Sequence, residues 1–436
     1  MLSQFRENLS EKIPFVQEKK NLLAISGGID SVVLAHLCKK AELNFSLAHC
    51  NFNLRGTESD ADEKFVKKLA KELEVELFIE HFNTQKFAEE HQLSTQVSAR
   101  KLRYFWFYEL AEKHHFDFIF TAHHANDSLE TYFINTLRGT GINGLTGIPE
   151  FNDKIFRPLL EFSRNEIENF AEKENLNWRE DSSNKSDKYL RNKIRHHVIP
   201  VLEEENPQLL ATFQQTQKNL QQTADLLEDY TTFLFSKLVE EINGNYYFNI
   251  QQLQETPHTK AVLFQLLHPF GFSEWNDVYH LLEAESGKQV FSKTHRLIKD
   301  RAVLILSKNE EKTSEDFYFA EEEKQLKFPL GIIEKDEVTK IEEKANEIAY
   351  LSGEKIKFPL LIRKWKAGDR FKPFGMKGSK KISDFLKDEK CSLLDKENTW
   401  VMCSAEQIIW VIGHRIHNDF KIKPTTTQSL KFTLKK

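Results

Sequence analysis

The chain has 436 residues, 40% of them hydrophobic, and its 61 Lys and Arg against 66 Asp and Glu give a net charge of −5. At about 150 residues per domain this length predicts two to four domains with ordinary globular cores, and a chain of this charge is not, as a whole, a basic nucleic-acid glue. No apolar run approaches the ~20 residues of a membrane span. MLSQFRENLSEKIPF has no secretion signature, and Cys38, Cys50, Cys391 and Cys403 form no CxxC pair. The expectation is a cytoplasmic protein with no membrane association, no disulfide framework and no zinc site.

Short apolar runs alternate with helical patterns through the first part of the chain. Strands are predicted at Leu22 to Ile25, Phe45 to Cys50, Val75 to Ile79, Phe116 to Thr121 and Ile155 to Leu159. Helices are predicted from about Ser31 to Lys40, Glu58 to Leu73, Ser94 to Lys113, Asn126 to Leu137 and Asn165 to Glu174. This alternation argues for a parallel sheet covered on both faces, with ligands at the carboxyl ends of the strands. From Asn206 the pattern turns mainly helical, with a hairpin near Arg296 to Leu306. A Glu-rich stretch including Glu310, Glu311, Glu315, Asp316 and Glu321 to Glu323 reads as a linker or solvated helix. A basic third unit follows, with β-like runs such as Ile408 to Ile412 and cations from Lys355 to Lys381. The predicted division is a catalytic domain over 1–205, a mainly helical central domain with an acidic linker over 206–350, and a small α+β domain over 351–436.

Between the first strand and first helix stands Ser26-Gly27-Gly28-Ile29-Asp30-Ser31. Paired glycines let the backbone turn tightly and aim N–H groups at an anion, and the helix adds its positive end. Asp30 would repel phosphate unless a Mg²⁺ ion stood between them. A plain glycine turn capped by Ser or Asp is the alternative. No GxxxxGK[ST] loop and no GxGxxG after a strand occurs, so neither a P-loop NTPase nor a dinucleotide dehydrogenase is supported.

SGGIDS resembles the signature of the PP-loop ATP pyrophosphatase superfamily, whose Rossmann-like domains of adenine nucleotide alpha hydrolase type cleave ATP to AMP and pyrophosphate. Four further segments narrow the resemblance: Ala48-His49-Cys50-Asn51-Phe52-Asn53-Leu54-Arg55-Gly56; Ala99-Arg100-Lys101-Leu102-Arg103-Tyr104; Thr121 to Thr131, running on into Arg138 to Leu145; and Asp181-Ser182-Ser183-Asn184 before Arg191 to Arg195. Together they closely resemble the tRNA(Ile)-lysidine synthetase family. Gly368-Asp369-Arg370 and Lys380 to Leu386 extend the likeness to the C-terminal part. Two positions depart from the family pattern: Phe52 stands where a second His is usual, and Asn126 where the first Asp of an HHxDD motif is usual.

The resemblance implies a ligase that uses ATP to join L-lysine to C2 of the first anticodon cytidine of a CAU-bearing isoleucine tRNA. AMP and diphosphate are released, and the tRNA changes from reading AUG as Met to reading AUA as Ile. It also implies roles. Ser26, Gly27, Gly28, Ile29, Asp30 and Ser31 would hold the nucleotide, with Asp30 on Mg²⁺. Arg100, favoured over Arg103, would stabilise the adenylation transition state. Asp127 and Glu130, three apart on one helical face, would meet the lysine ammonium, with His123 a phosphate donor or base. For His123 and His124 a structural role is the plain alternative; for Asp127 and Glu130 it is helix N-terminal charge. Arg191, Lys193, Arg195, His196 and His197 would meet the tRNA backbone, with Arg195 also a candidate for the ATP phosphates. Trp365, Phe371 and Phe374 would let the basic C-terminal unit stack bases, unless they are simply its core. A tRNA thiolation enzyme lacks support because no CxxC pair is present. An amidotransferase-type synthetase lacks its glutaminase domain, and a non-catalytic RNA-binding protein leaves Asp30, Asp127 and Glu130 unexplained. The oligomeric state is open, a homodimer included.

Overall fold

The computed structural model describes residues 1–54, 56–180, 189–309 and 315–435, so Arg55, the Asp181 to Asn184 motif, Glu310 and Glu311 lie outside the described residues. Two compact units are present, Met1–Asp229 and Tyr230–Lys436.

The first unit begins with α1 (Leu2–Lys12), β1 (Lys20–Ala24), α2 (Ile29–Lys40), β2 (Asn44–Asn51), α3 (Thr57–Leu73) and β3 (Leu77–His81). It continues through α4 (Thr84–Glu90), α5 (Thr95–Lys113), β4 (Phe118–Phe120), α6 (Ala125–Arg138), α7 (Ile142–Leu145), β5 (Phe151–Asn152), β6 (Ile155–Phe156) and α8 (Arg164–Lys173). Short α9 (Leu190–Lys193) and α10 (Ile199–Glu205) precede α11 (Leu209–Leu238), which runs on into the second unit. The sheet order is β3-β2-β1-β4-β6-β5, parallel except for β5 against β6. Helices cover both faces, so Leu22 and Leu23, neighbours in β1, are both wholly buried, as in a two-sided parallel sheet. α2 is buried nearly all round through Val32, Val33, Leu34, Ala35, Leu37 and Cys38. α3 instead buries one stripe, Val66, Leu69, Ala70 and Leu73, at helical spacing.

The predicted strands and helices of this unit are present, with shifts at their ends. Only Ile155–Phe156 of the fifth predicted strand pairs, because Arg157 and Pro158 follow at once. The loop expected over Arg138 to Gly147 contains α7. It is tied back by bonds from Asn135 Nδ2 to Gly144 O (2.8 Å) and from Gln217 Nε2 to Thr146 O (2.5 Å).

In the second unit, helices Ile250–Gln254, Thr259–Leu267 and Trp275–His280 pack with a five-stranded antiparallel sheet around Leu263, Phe248 and Leu297. The expected hairpin is there, His295–Asp300 against Val303–Lys308. The sheet is larger than that hairpin because Asn243 and Gly244, both at positive φ, turn Val239–Ile242 back onto Asn245–Asn249. Beyond Asp316 the Glu-rich stretch is not a helix. Phe317–Phe319, Gln325–Phe328 and Gly331–Glu337 are strands, and they join two four-stranded sheets with segments as distant as Ser429–Lys435. Trp400, Trp410, Phe319 and Phe432 fill the core there.

Gly368-Asp369-Arg370 is a structural corner of this unit. Arg363 bonds Asp369 through both nitrogens, at 2.7 and 3.0 Å, and the Lys366 N–H donates to the same carboxylate at 2.7 Å. Burial pushes the Asp369 carboxyl up, but the Arg363 and Lys366 bonds outweigh it and hold it below its ordinary value. A carboxyl depressed in this way stabilises the fold above the unfolded pKa of ~3.9, and the contribution is lost as pH falls through the folded value. Asp369→Asn is expected to cost about 1–3 kcal/mol at pH 7. Urea unfolding followed by tryptophan fluorescence should show that penalty at neutral pH and show it shrinking towards pH 3.

Candidate active site

Strand order reverses between β1 and β4, since the chain travels outward from β1 through β2 and β3 and then resumes on the other side. Loops leaving the carboxyl ends of β1 and β4 therefore diverge, and a crevice opens between them. One loop is Ile25 to Gly28; the other is Thr121 to His124.

In the first loop Gly27 takes φ +91°, a conformation that a side chain would strain, and an added Cβ would also come within 3.4 Å of Phe65. The Gly27 carbonyl accepts from the Arg179 N–H at 2.9 Å, while Arg179 Nε donates to Asp62 at 3.0 Å. Ser26 and Ser31 hydroxyls lie 3.1 Å apart, and Ser31 donates to the Gly28 carbonyl at 2.9 Å. α2 starts at Gly28 without a side-chain cap, which leaves its first-turn N–H groups to an anion. His49 Nδ1 lies 2.9 Å from the Ile25 carbonyl and braces the strand below the loop.

A cavity of about 350 Å³ opens on this loop. Apolar Ile25, Ala48, Cys50 and Phe107 line it together with Ser26, Asp30, Ser31, Tyr104, Arg103 and His123. Arg103 is the arginine of the long helix that reaches the cavity; its guanidinium lies over the Phe52 ring at 5.3 Å. Arg100, favoured from sequence, is exposed one turn away, with its guanidinium 4.9 Å over the Tyr104 ring. Phe52 stacks on Phe82 with ring centroids 5.5 Å apart. At the position where a His is usual, this chain thus has an aromatic platform under Arg103.

A second cavity, of about 860 Å³, lies on the other side of Asp30, which borders both. Its walls include His124, Asp127, Glu130, Arg164, Arg195 and the start of α11. His124 is buried, its Nε2 3.5 Å from Asp127 Oδ2 and 3.8 Å from Asp30 Oδ1, so the ring stands between two carboxylates that belong to different elements. Asp127 accepts from the His124 N–H at 3.1 Å. Burial pushes its carboxyl up, yet His124, His123 and that bond together hold it below the ordinary value. His123 has its Nδ1 3.0 Å from the Thr121 hydroxyl. Burial, with Arg157, Arg191 and Arg100 nearby, pushes its imidazole down to about 4.

Glu130 is wholly buried. Both of its oxygens are taken by Arg195, at 2.6 and 3.1 Å, and Arg191 approaches at 3.5 Å. Arg195 also lies 3.6 Å from Asp127. The expected basic cluster therefore splits. Arg191 and Arg195 turn inward, while Lys193, His196 and His197 remain exposed. Ile194–Val198 forms a π-helical turn between α9 and α10, a local widening common at functional sites.

Sequence reasoning missed Arg164. Its Nη1 binds both oxygens of Asp30, at 2.8 and 3.0 Å. Its backbone N–H donates to Asn126 Oδ1 at 2.9 Å, which gives that departure from the family pattern a structural use. No local signal marks it, since it reads as the first residue of an ordinary helix capped by Ser163 and Glu166.

In the second unit Phe371 is core and Trp365 is anchored by its indole N–H to the Lys396 carbonyl at 2.5 Å; Phe374 is the exposed aromatic of the three, with Lys421 over its ring. Arg363, Lys372 and Lys380 are paired with Asp369, Asp419 and Asp388, so part of the basic stretch is neutralised within the unit.

Residues 1–202 match the PP-loop domain family, residues 241–309 the TilS substrate binding domain and residues 360–432 the TilS substrate C-terminal domain. The chain is 37% identical over 428 residues to the tRNA(Ile)-lysidine synthase of Bacteroides thetaiotaomicron, with 96% of each chain covered. It is 38% identical over 419 residues to that of Parabacteroides distasonis, with 95% of each covered. To that of Porphyromonas gingivalis it is 35% identical over 422 residues, covering 92% of this chain and 91% of the relative. With three domain families matched in order and similarity running nearly end to end, the chain belongs to the tRNA(Ile)-lysidine synthase family.

Proposed function

We infer that this chain uses ATP to ligate L-lysine to C2 of the wobble cytidine of a CAU-bearing tRNA(Ile), releasing AMP and diphosphate. The observation that carries the reading is the convergence on Asp30 of the SGGIDS loop from one side and the His124–Asp127 segment from the other, in a chain with full-length lysidine synthase relatives.

The chemistry has two steps. Cytosine O2 attacks the α-phosphorus of ATP and diphosphate leaves. The lysine ε-amine then attacks C2, and O2 departs with AMP. The first step needs positioning and charge neutralisation. In this reading Ser26, Gly27, Gly28, Ile29 and Ser31 hold the phosphates in the first cavity, and Asp30 holds Mg²⁺. That carboxylate borders the cavity and is 29% exposed, so it would hold the ion, which when bound would offset phosphate charge. Arg103, which lines the cavity, replaces Arg100 as the preferred stabiliser of the transferring phosphoryl group.

His123 is better fitted to donate a hydrogen bond than to accept a proton. A base of pKa about 4 lies roughly 6 units below a lysine ammonium of ~10.4, too far for it to remove that proton before bond formation. Neutral at pH 7, it offers an N–H to a phosphoryl oxygen. Asp127, held anionic, binds the ammonium in the second cavity; one proton is lost to water to give the neutral amine that attacks C2, and a second, made acidic once nitrogen bonds C2, follows it to solvent. Glu130 serves the same step through Arg195, whose guanidinium it fixes beside Asp127. The cations of the C-terminal unit, with Phe374, contact the tRNA backbone and a base.

The direct test is incubation of the pure chain with ATP, radiolabelled lysine and unmodified CAU-anticodon tRNA(Ile). Label should enter the RNA with stoichiometric AMP release; ATP cleavage without lysine incorporation would refute the reading. Asp30→Ala is expected to lower Mg²⁺-dependent adenylation by about 100-fold or more, while gel-shift affinity for the tRNA stays near wild type. His123 should remain neutral until about pH 4 in an imidazole ¹H–¹⁵N titration. Because its folded pKa lies below the unfolded ~6.5, stability should fall as pH drops through the window from 6.5 towards 4. His123→Gln should flatten that slope.

A further inference from the structure

The second cavity has an uneven charge inventory. Among the described residues, the carboxylates Asp30, Asp127, Glu130, Glu166 and Glu203 line it, and the guanidiniums there are Arg164 and Arg195. Both guanidiniums are engaged. Arg195 is spent on Glu130, a wholly buried carboxylate that cannot be left alone. Arg164 is spent on Asp30, which retains 29% exposure and is the member of either pair that also borders the nucleotide cavity.

A zwitterionic amino acid in this cavity brings an α-carboxylate that requires a cation of its own. Of the permanently charged side chains in the lining, a guanidinium becomes available for it only if an existing partner is taken away. Asp30 is the partner that can be taken, because a divalent cation on its carboxylate excludes a guanidinium from the same oxygens by like-charge repulsion. Arg164 is built to survive that exchange in place. Its backbone N–H is fixed by Asn126 at 2.9 Å, whereas the planar guanidinium moves as one body and exchanges its Nε bond to half-exposed Glu168, 2.7 Å, together with its bonds to Asp30. Loss of Asp30 therefore frees the end of the side chain and leaves its root on the cavity wall.

We propose that Arg164 is a two-position residue: it holds Asp30 while the metal is absent, and Mg²⁺ arriving with ATP displaces its guanidinium into the second cavity, where it takes the α-carboxylate of the amino-acid substrate. The proposal rests on the reading above that Asp30 binds the metal and that the second cavity receives lysine. It makes amino-acid binding conditional on the nucleotide site being charged, and it assigns Arg164 to positioning and substrate binding, not to bond making.

Titration calorimetry on the full chain separates the two positions. In the first arm Mg²⁺ is titrated with α,β-methylene-ATP and no lysine. Arg164→Ala, having lost the internal competitor, should bind Mg²⁺ about 5-fold or more tightly than wild type. In the second arm L-lysine is titrated with and without Mg²⁺ and the analogue. Wild type should bind lysine about 10-fold more tightly when the metal and analogue are present, and Arg164→Ala should lose that coupling. Arg164→Gln, which keeps the bulk without the charge, is read in the same way if the alanine variant does not fold by circular dichroism. Unchanged or weaker Mg²⁺ binding in the variants overturns the first position, and undiminished coupling overturns the second. If lysine binds neither wild type nor variant, the functional reading fails, and the metal arm still decides whether Arg164 competes for Asp30.

Discussion

A carboxylate as fully buried as that of Glu130 cannot stand without a compensating cation, and much of the first unit is arranged to meet that need. Glu130 sits in α6, one turn beyond the crevice, and its two oxygens draw Arg195 inward from a segment 65 positions later. That bond pins the π-helical turn onto α6, and the turn and α10 form one side of the second cavity. Asp127 is left less encumbered as a result: Arg195 approaches it at 3.6 Å but spends its hydrogen bonds on Glu130. Two carboxylates three residues apart thus differ in their surroundings, one held through both oxygens by Arg195 and the other 3.6 Å from it, and in the proposed reaction the second meets substrate.

The same division of labour appears at the switch point of the sheet. β1 and β4 bring two loops together that are distant in sequence, and His124 spans them by standing between Asp30 and Asp127. Asp30 is the common wall of two cavities, so the SGGIDS side is one side chain away from the Asp127 side. In the proposed reaction, an activated base that must wait for its nucleophile would gain from that adjacency.

What the sequence made legible was whatever is encoded locally. A strand, two glycines and a helix start specify the anion loop, and the +91° φ of Gly27 is the conformation that such a motif predicts. The two-sided sheet announced itself in runs like Leu22-Leu23. The contacts that set roles are non-local, and these could not be read. Arg164 meets Asp30 across 134 positions and looks like an ordinary helix start. Arg191 and Arg195 resemble a solvated basic face until the π-helical turn is seen to direct them inward. Arg100 and Arg103 each lie over an aromatic ring, Tyr104 and Phe52; what distinguishes them is that Arg103 lines the first cavity and Arg100 does not. The Asn243-Gly244 turn was a local signal within reach, and it encodes the larger central sheet. Phe371 and Trp365 belong to a small core because alternation of aromatics and cations describes an edge strand as well as an RNA-binding face.

Asn126 has a further consequence. Its amide oxygen carries no proton to lose or gain, so its grip on the Arg164 N–H is the same in acid as at neutrality. A carboxylate in that place would become a weaker acceptor on protonation and, ionised, would add a third negative charge beside Asp30 and Asp127. The amide keeps the base of the Arg164 side chain aimed by geometry alone and leaves the local charge count one unit less negative. The start of α8 is thereby tied to α6 by a contact that has no titratable member.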